Sequence, residues 1–514
     1  MPLDITINDR QYKLVTSSQL EALESLIKQN EEAIRVNKEA IEVNVGQIAE
    51  SKEEILAALN LIGSEPTDPL PPDIPTPLEG ITVGPDDDLQ EAIFDANGQK
   101  IWLKDGIYEP VTVESNTSIA AINPHKAFIE GIVPWEDKWE KSGQVWSSPL
   151  FFPLHQHPAN SVHTINGQPS ARGLRHRQEM QPHLLLFNGQ MMDPVYDSSS
   201  GLQPGQFFLE GTSAKPVRIW ARFPGDADPS SYDSTVEYGF FEYLIKGLTG
   251  DVDQVSLDGI HMRFCSNTGT FGGLHMEAAM DGWTVNNCII SDTMSEGARI
   301  RGSEHTFTNT KFLRHGHVGA ALQGTYKCNF ISCEASYNVW RKGIDPLWHA
   351  GGLKGQYGVN ECDFLYFKAI SNNGAGYWLD IHNSKNNLVD FELVDNQAFG
   401  LHIGHNTKDG LVENGVIRGT RKFHAENFSI GSGLQIQRGV TGYTFRNIHL
   451  EANEDGAVYY KKREAHGEWS GGNTFDNITR ENNGSNNRWA VQGDMNIDPD
   501  SYLNMATPNF SNWQ

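Results

Sequence analysis

Apolar positions along the chain follow two different periods, and the change from one to the other divides the molecule. Leu20, Ile27, Ile34, Ile41, Ile48, Ile55 and Ile62 stand seven apart among glutamates and lysines. That spacing is one seam of an α-helical coiled coil. Asn30, Asn37 and Asn44 repeat at the same interval in the second seam, where amides fix register and oligomer state. A homotrimer is the expected assembly. The helix would run about 63 Å at the standard rise and stop at Gly63.

Six prolines between residues 64 and 80 forbid continuation of the helix and predict a semi-rigid linker. Beyond it the period shortens to two within strands and lengthens to about two dozen between them. Gly273-Leu-His-Met, Gly297-Ala-Arg-Ile, Gly352-Leu-Lys-Gly, Gly376-Tyr-Trp-Leu and Gly400-Leu-His-Ile each open a short alternating segment, and several steps are 24 residues. Such a repeat is the mark of a parallel β-helix, one coil per period. The fold class expected is therefore all-β: a right-handed parallel β-helix with an inserted β-rich domain and an N-terminal trimeric α-helical coiled coil.

The boundaries follow from these changes: an N-terminal anchor at 1–17, coiled coil at 18–63, linker at 64–80, a capping helix and first coils at 81–132, an insertion at 133–245, the β-helix at 246–490 and a tail at 491–514. The insertion breaks the repeat and carries its own tryptophans and histidines. Those histidines lack metal-ligand spacing and cysteine companions, so neither metal nor cofactor is expected.

Alternation places the first and third residues after each glycine inside and the second and fourth outside, facing solvent. Read down the solenoid, the outward row holds His275, Glu277, Arg299, Arg301, Gln323, Lys354, Trp378, Asp380, His402, Gln435 and Gln437. Carboxylate, ammonium, imidazole and indole on adjoining coils suit recognition of a carbohydrate better than simple solvation. Asp380, Asp345, His402 and Lys354 are the catalytic candidates; Trp378, His382, Arg301, Gln323, Trp348 and His349 are the candidates for substrate binding.

Charge narrows the partner. Sixty-five acidic against 40 basic residues give a net charge of −25, which disfavours nucleic acid and anionic lipid. No apolar run is long enough for membrane insertion, and the first residues lack the pattern of a secretory signal. Five cysteines, several at inward positions, predict buried thiols.

Asn188-Gly-Gln, Leu202-Gln-Pro-Gly-Gln-Phe-Phe, Arg218-Ile-Trp, Trp348-His-Ala-Gly-Gly-Leu-Lys and Gly376-Tyr-Trp-Leu-Asp together resemble the β-helical β-xylosidase family of glycoside hydrolases, over roughly residues 81–460. The resemblance implies Asp380 as nucleophile and an acid/base glutamate at the equivalent position of the next coil. That position is Gly404. Asp345, His382 and His402 are the alternative proton carriers, whereas a lyase would draw on Lys354, Arg301 and His402. Hydrolysis ranks first, binding without chemistry second and elimination third.

The order of stalk, linker and β-helix also resembles tailed-phage tailspikes. It implies a virion location, a host surface polysaccharide as ligand, and tail or baseplate proteins as partners of the N-terminus. A released bacterial polysaccharide-degrading enzyme and a non-catalytic fibre or adhesin are the competing readings.

Overall fold

The computed structural model describes residues 78–150 and 183–484, except 196–197, 213–214, 268–270, 342–343, 345, 348, 426–427 and 461–469, together with two isolated hairpins. The expected coiled coil, most of the linker, the tail, Asp345 and Trp348 lie outside the described residues. The chain divides into two units, Met1–Pro77 and Leu78–Gln514. In the first, Asp4–Ile7 and Arg10–Lys13 pair antiparallel, in the segment from which a small β anchor is expected.

The second unit is a parallel β-helix. Its coil begins where Asp88 caps the helix Leu89–Asp95 by accepting from the Glu91 N–H at 2.9 Å. Leu89 and Ile93 turn inward and close the end of the apolar core. From there one sheet runs the length of the solenoid. It starts with Val111–Val113, Ile245–Gly247, Gly272–His275, Glu296–Ser303 and Val318–Tyr326, then continues through Gly351–Gln356, Ala375–Asp380, Phe399–Ile403, Ser432–Ile436 and Gly456–Tyr460. The remaining strands of the coils form a second, 19-stranded ladder around the other sides.

Register explains the core. Leu274, Ala298, Ala320, Leu353, Tyr377, Leu401 and Leu434 follow one another in parallel pairing and are buried. On another side Phe307, Phe330 and Phe364 stack, with centroids 4.9 and 4.8 Å apart and planes within 8° of parallel. All five cysteines are free and buried, in keeping with the thiols expected from their inward positions. Burial pushes the Cys333 thiol up to about 12, so it stays protonated and packs as a small apolar group.

Where the chain bends between sheets, backbone N–H groups lose their strand partners, and asparagines restore them. Asn372 Oδ1 accepts from the Asn338 N–H at 2.9 Å, and Asn396 Oδ1 from the Asn372 N–H at 3.2 Å. Their amides also bond each other from coil to coil, so the corner beside the outward row is fixed by a fully buried polar ladder.

The insertion leaves the solenoid after Ala127–Glu130 and returns before Ile245–Gly247, which pairs with Val111–Val113 as the next coil. Its first and last strands, Ile132–Pro134 and Val236–Gly239, lie antiparallel. Between them Trp135, Trp139, Trp146, Phe207, Ile219 and Phe223 build a separate apolar core. Leu184 and Leu186 pack against Phe264 and Met294 of the solenoid.

Candidate functional site

The long sheet carries the outward row in the expected register, with Lys246, His275, Arg299, Ala321, Lys354, Trp378, His402 and Gln435 side by side. Gln356 and Asp380 form a second row two residues further along. The expectation that these side chains face solvent is corrected. His275, Arg299, Lys354, Trp378, Asp380, His402 and Gln435 all retain 5% or less of their surface. They point away from the solenoid core but are covered from outside. Leu347, together with Phe423 and Ile430 of the hairpin Phe423–Ala425 and Phe428–Ile430, packs against the cluster that holds Trp378 and Phe399.

Three adjoining coils build the first cluster. Lys354 Nζ lies 3.4 Å from Asp380 Oδ2 and 3.5 Å from the centre of the Trp378 ring, so the cation is shared between a carboxylate and an aromatic face. His402 stacks on Trp378 at 4.9 Å and lies 4.7 Å from Phe399. Sandwiched this way, its Nδ1 is buried without a hydrogen-bond partner, and burial pushes its pKa down to about 3. It is a neutral ring at physiological pH.

Burial also lowers Lys354, to about 8, although Asp380 opposes the change. Burial pushes Asp380 in the other direction, yet its hydrogen bond from His405 and the Lys354 charge outweigh it and hold the carboxylate well below its ordinary range. Asp380 is therefore an ionised, positioned anion and not a proton donor.

His405 and Arg438 complete the cluster, and the outward alternation of the sequence did not single them out. His405 Nδ1 meets Asp380 Oδ1, and Arg438 meets His405 Nε2. A guanidinium only donates, so Nε2 is the accepting nitrogen and the ring proton sits on Nδ1, pointing at Asp380. Unlike the buried Asp380, the His405 side chain keeps 28% of its surface. Arg438 and Gln437 are half-buried beside it. The only advance signal was a second histidine three residues after His402, just past the end of Phe399–Ile403. His405 reaches Asp380 because the backbone turns there with φ 47°.

Gly404 occupies the place beside Asp380 at which the resemblance puts an acid/base glutamate: its N–H bonds the Leu379 carbonyl at 2.9 Å. A Cβ there would come within 2.9 Å of His402 Nε2. The preceding coil offers Gln356. Neither neighbour of Asp380 in this register is a carboxyl group.

A second cluster lies nearer the N-terminus of the same sheet. Glu296, fully buried, accepts at Oε1 from Arg299 at 2.8 Å and from His349 Nε2 at 2.7 Å. Its Oε2 is buried with no partner. Burial raises this carboxyl to about 7, against the pull of Arg299 and His275. Around it Arg299 donates to Gln323 Oε1 at 3.2 Å, His275 bonds Glu277 at 2.9 Å, and Arg301 reaches Glu277 at 3.3 Å.

Glu296 aligns with Ala375 three coils away, about 14 Å along the solenoid. Asp380 stands five residues beyond Ala375, about 17 Å along the strand. The two carboxyls are therefore too far apart to act as a glycosidase pair, whose members stand about 5 to 9.5 Å apart.

The candidates thus divide. Asp380, Lys354, Trp378 and His402 come together; Arg301, Gln323 and His349 belong to the second cluster; His382 is exposed on a turn. No group of metal-binding side chains occurs among the described residues.

Comparison with known proteins gives the same architecture. A model described as right handed beta helix region matches residues 272–447. No curated protein matches the chain. Among solved structures, the complex of XylC with xylose is 12% identical, with a TM-score of 0.50, covering 77% of this chain and 82% of that one. A glycoside hydrolase follows at 11% identity and a TM-score of 0.46, covering 79% and 91%. The A-module of the mannuronan C-5 epimerase AlgE4 from Azotobacter vinelandii is 11% identical, with a TM-score of 0.38, covering 77% and 88%. These likenesses are of fold: the chain carries a right-handed β-helix region.

Proposed function

We propose that the chain is a tailspike or receptor-binding protein that recognises host surface polysaccharide and depolymerises it at the cluster around Asp380. The observation that carries this reading is the convergence of Asp380, Lys354, Trp378 and His402 from three adjoining coils. Burying an ionised carboxylate and a cation costs desolvation energy, and perturbed groups of this kind concentrate at functional sites. A neighbour of the same fold solved with xylose supports the reading of a sugar ligand.

The heptads, asparagine layer and proline linker of the sequence support a homotrimer carried on a virion tail, with the N-terminal segment meeting tail or baseplate proteins. Incubation of the full chain with capsular and lipopolysaccharide from candidate hosts tests the reading. Release of oligosaccharides is expected, with at least a thousandfold loss in Asp380→Asn; intact polymer in every reaction would refute depolymerisation. Glycan binding without turnover is the second reading, favoured by Gln356 and Gly404 where a partner carboxyl would stand.

A further inference from the structure

We infer that the inserted domain carries a second glycan-binding site, an aromatic platform of Trp220 and Phe208 that takes an uncharged stretch of polysaccharide. The inference rests on the proposed polysaccharide ligand and adds a contact with it outside the long sheet.

Two of the sequence motifs, Leu202-Gln-Pro-Gly-Gln-Phe-Phe and Arg218-Ile-Trp, supply no residue to either polar cluster. The fold brings them side by side. Gln206–Thr212 and Lys215–Arg222 pair antiparallel with Phe208 opposite Trp220, and Val195 and Ser147 continue the row on the flanking strands. Alternation sends Phe207, Leu209, Ile219 and Ala221 into the insertion's own core. Phe208 and Trp220 therefore turn to the other face of the sheet, where both keep part of their surface exposed.

The border of the platform is polar and already ordered. Trp220 Nε1 donates to Glu210 at 2.8 Å. Arg218, directly across the strands from Glu210, stands 6.0 Å from the indole centre; it bonds Ser147 at 3.1 Å and lies 3.7 Å from Glu140. On the other side of the row Gln206 faces Arg222, whose guanidinium is held by Asp226 at 2.7 and 3.3 Å. Both guanidiniums bordering the rings thus face carboxylates, and the whole chain carries a charge of −25. That pattern suits an uncharged ligand and disfavours an anionic one. A pyranose fits it. Its C–H face is drawn to the negative face of an aromatic ring, and its hydroxyls reach the carboxylate of Glu210 and the guanidinium of Arg218 at the rim. The bond to Glu210 fixes the indole beforehand, so little side-chain freedom is lost on binding. A polymer held here also meets the solenoid of the same chain at a raised effective concentration.

Retention of the full-length protein is measured in the cold by affinity electrophoresis through gels containing xylan, mannan, dextran, polygalacturonate or delipidated host surface polysaccharide. At least one uncharged polymer is expected to retard the chain, and to do so still in Asp380→Asn. Trp220→Ala is expected to weaken that retention about tenfold, and Phe208→Ala and Glu210→Gln about threefold, with most of it kept in Trp220→Phe. Equal retention of the parent, Trp220→Ala and Glu210→Gln would overturn the platform and leave depolymerisation standing. Retention by polygalacturonate alone, lost in Trp220→Ala, would overturn the uncharged ligand. A smaller assembly by light scattering in Trp220→Ala, with retention unchanged, would make the face a contact between copies and overturn the site. Retention by none of the polymers would overturn both readings.

Discussion

The two polar clusters on the long sheet are built from similar groups and differ in where they end. Around Glu296, arginine and histidine close over a carboxyl that keeps one oxygen without a partner, and its proton is held up to about pH 7. Around Asp380, the carboxylate is saturated and fully ionised, and its hydrogen bonds lead outward through His405 to Arg438 at the surface. Burial of a carboxyl is common to both. A cation faces each carboxyl, Arg299 in one and Lys354 in the other; what separates them is an exit: one cluster stores a proton inside the protein, the other presents a positioned ring to solvent.

The largest expected effect comes from removing the opposing anion. Asp380→Ala leaves the Lys354 ammonium buried without its carboxylate, and unfolding in urea is expected to show a loss of about 3–5 kcal/mol. An unchanged midpoint would mean that Lys354 is neutral in the folded state and that the contrast between the clusters is false.

Next in size is the pH dependence of the sealed cluster. The folded-state value of Glu296, about 7, lies above the ordinary 4.5, so the folded chain holds the proton more tightly than the unfolded one. This contribution is fully present below about pH 4.5 and is lost as pH rises through 7, at most on the order of 3 kcal/mol. Glu296→Gln should flatten the fall in stability between pH 5 and pH 8; an identical slope in the variant would place the titration elsewhere. The smallest change concerns Gly404. Gly404→Ala puts a methyl group 2.9 Å from His402 Nε2, so the ring held between Trp378 and Phe399 has to shift. A loss of about 1–2 kcal/mol is expected by thermal unfolding.

Much of the architecture was legible in the sequence because the coil repeats. The 24-residue steps from Gly352 to Gly376 and Gly400 reappear in the pairing of Leu353 with Tyr377 and Leu401. Alternation then assigned Lys354, Trp378 and His402 to one outward row, as the register has them. It could not reveal that the row is covered, because Leu347, Phe423 and Ile430 reach it from segments outside any repeat. Glu296 was hidden for a related reason: it precedes the glycine used as a ruler, and its partner His349 lies 53 residues away. His405 escaped because it stands just past the strand, where a positive φ breaks alternation and turns the ring back toward Asp380. Periodicity reports what neighbouring coils share, and a site is made where they differ.

The antiparallel closure of the insertion has an evolutionary consequence. Pro134 faces Glu237 and Ile132 faces Gly239, so the chain departs and comes back through adjacent doors. Whatever is enclosed between them can lengthen, shrink or be exchanged without altering the pairing of Val111–Val113 with Ile245–Gly247. Selection can therefore replace this cassette as a unit while the Asp380 machinery, several coils downstream, keeps its geometry.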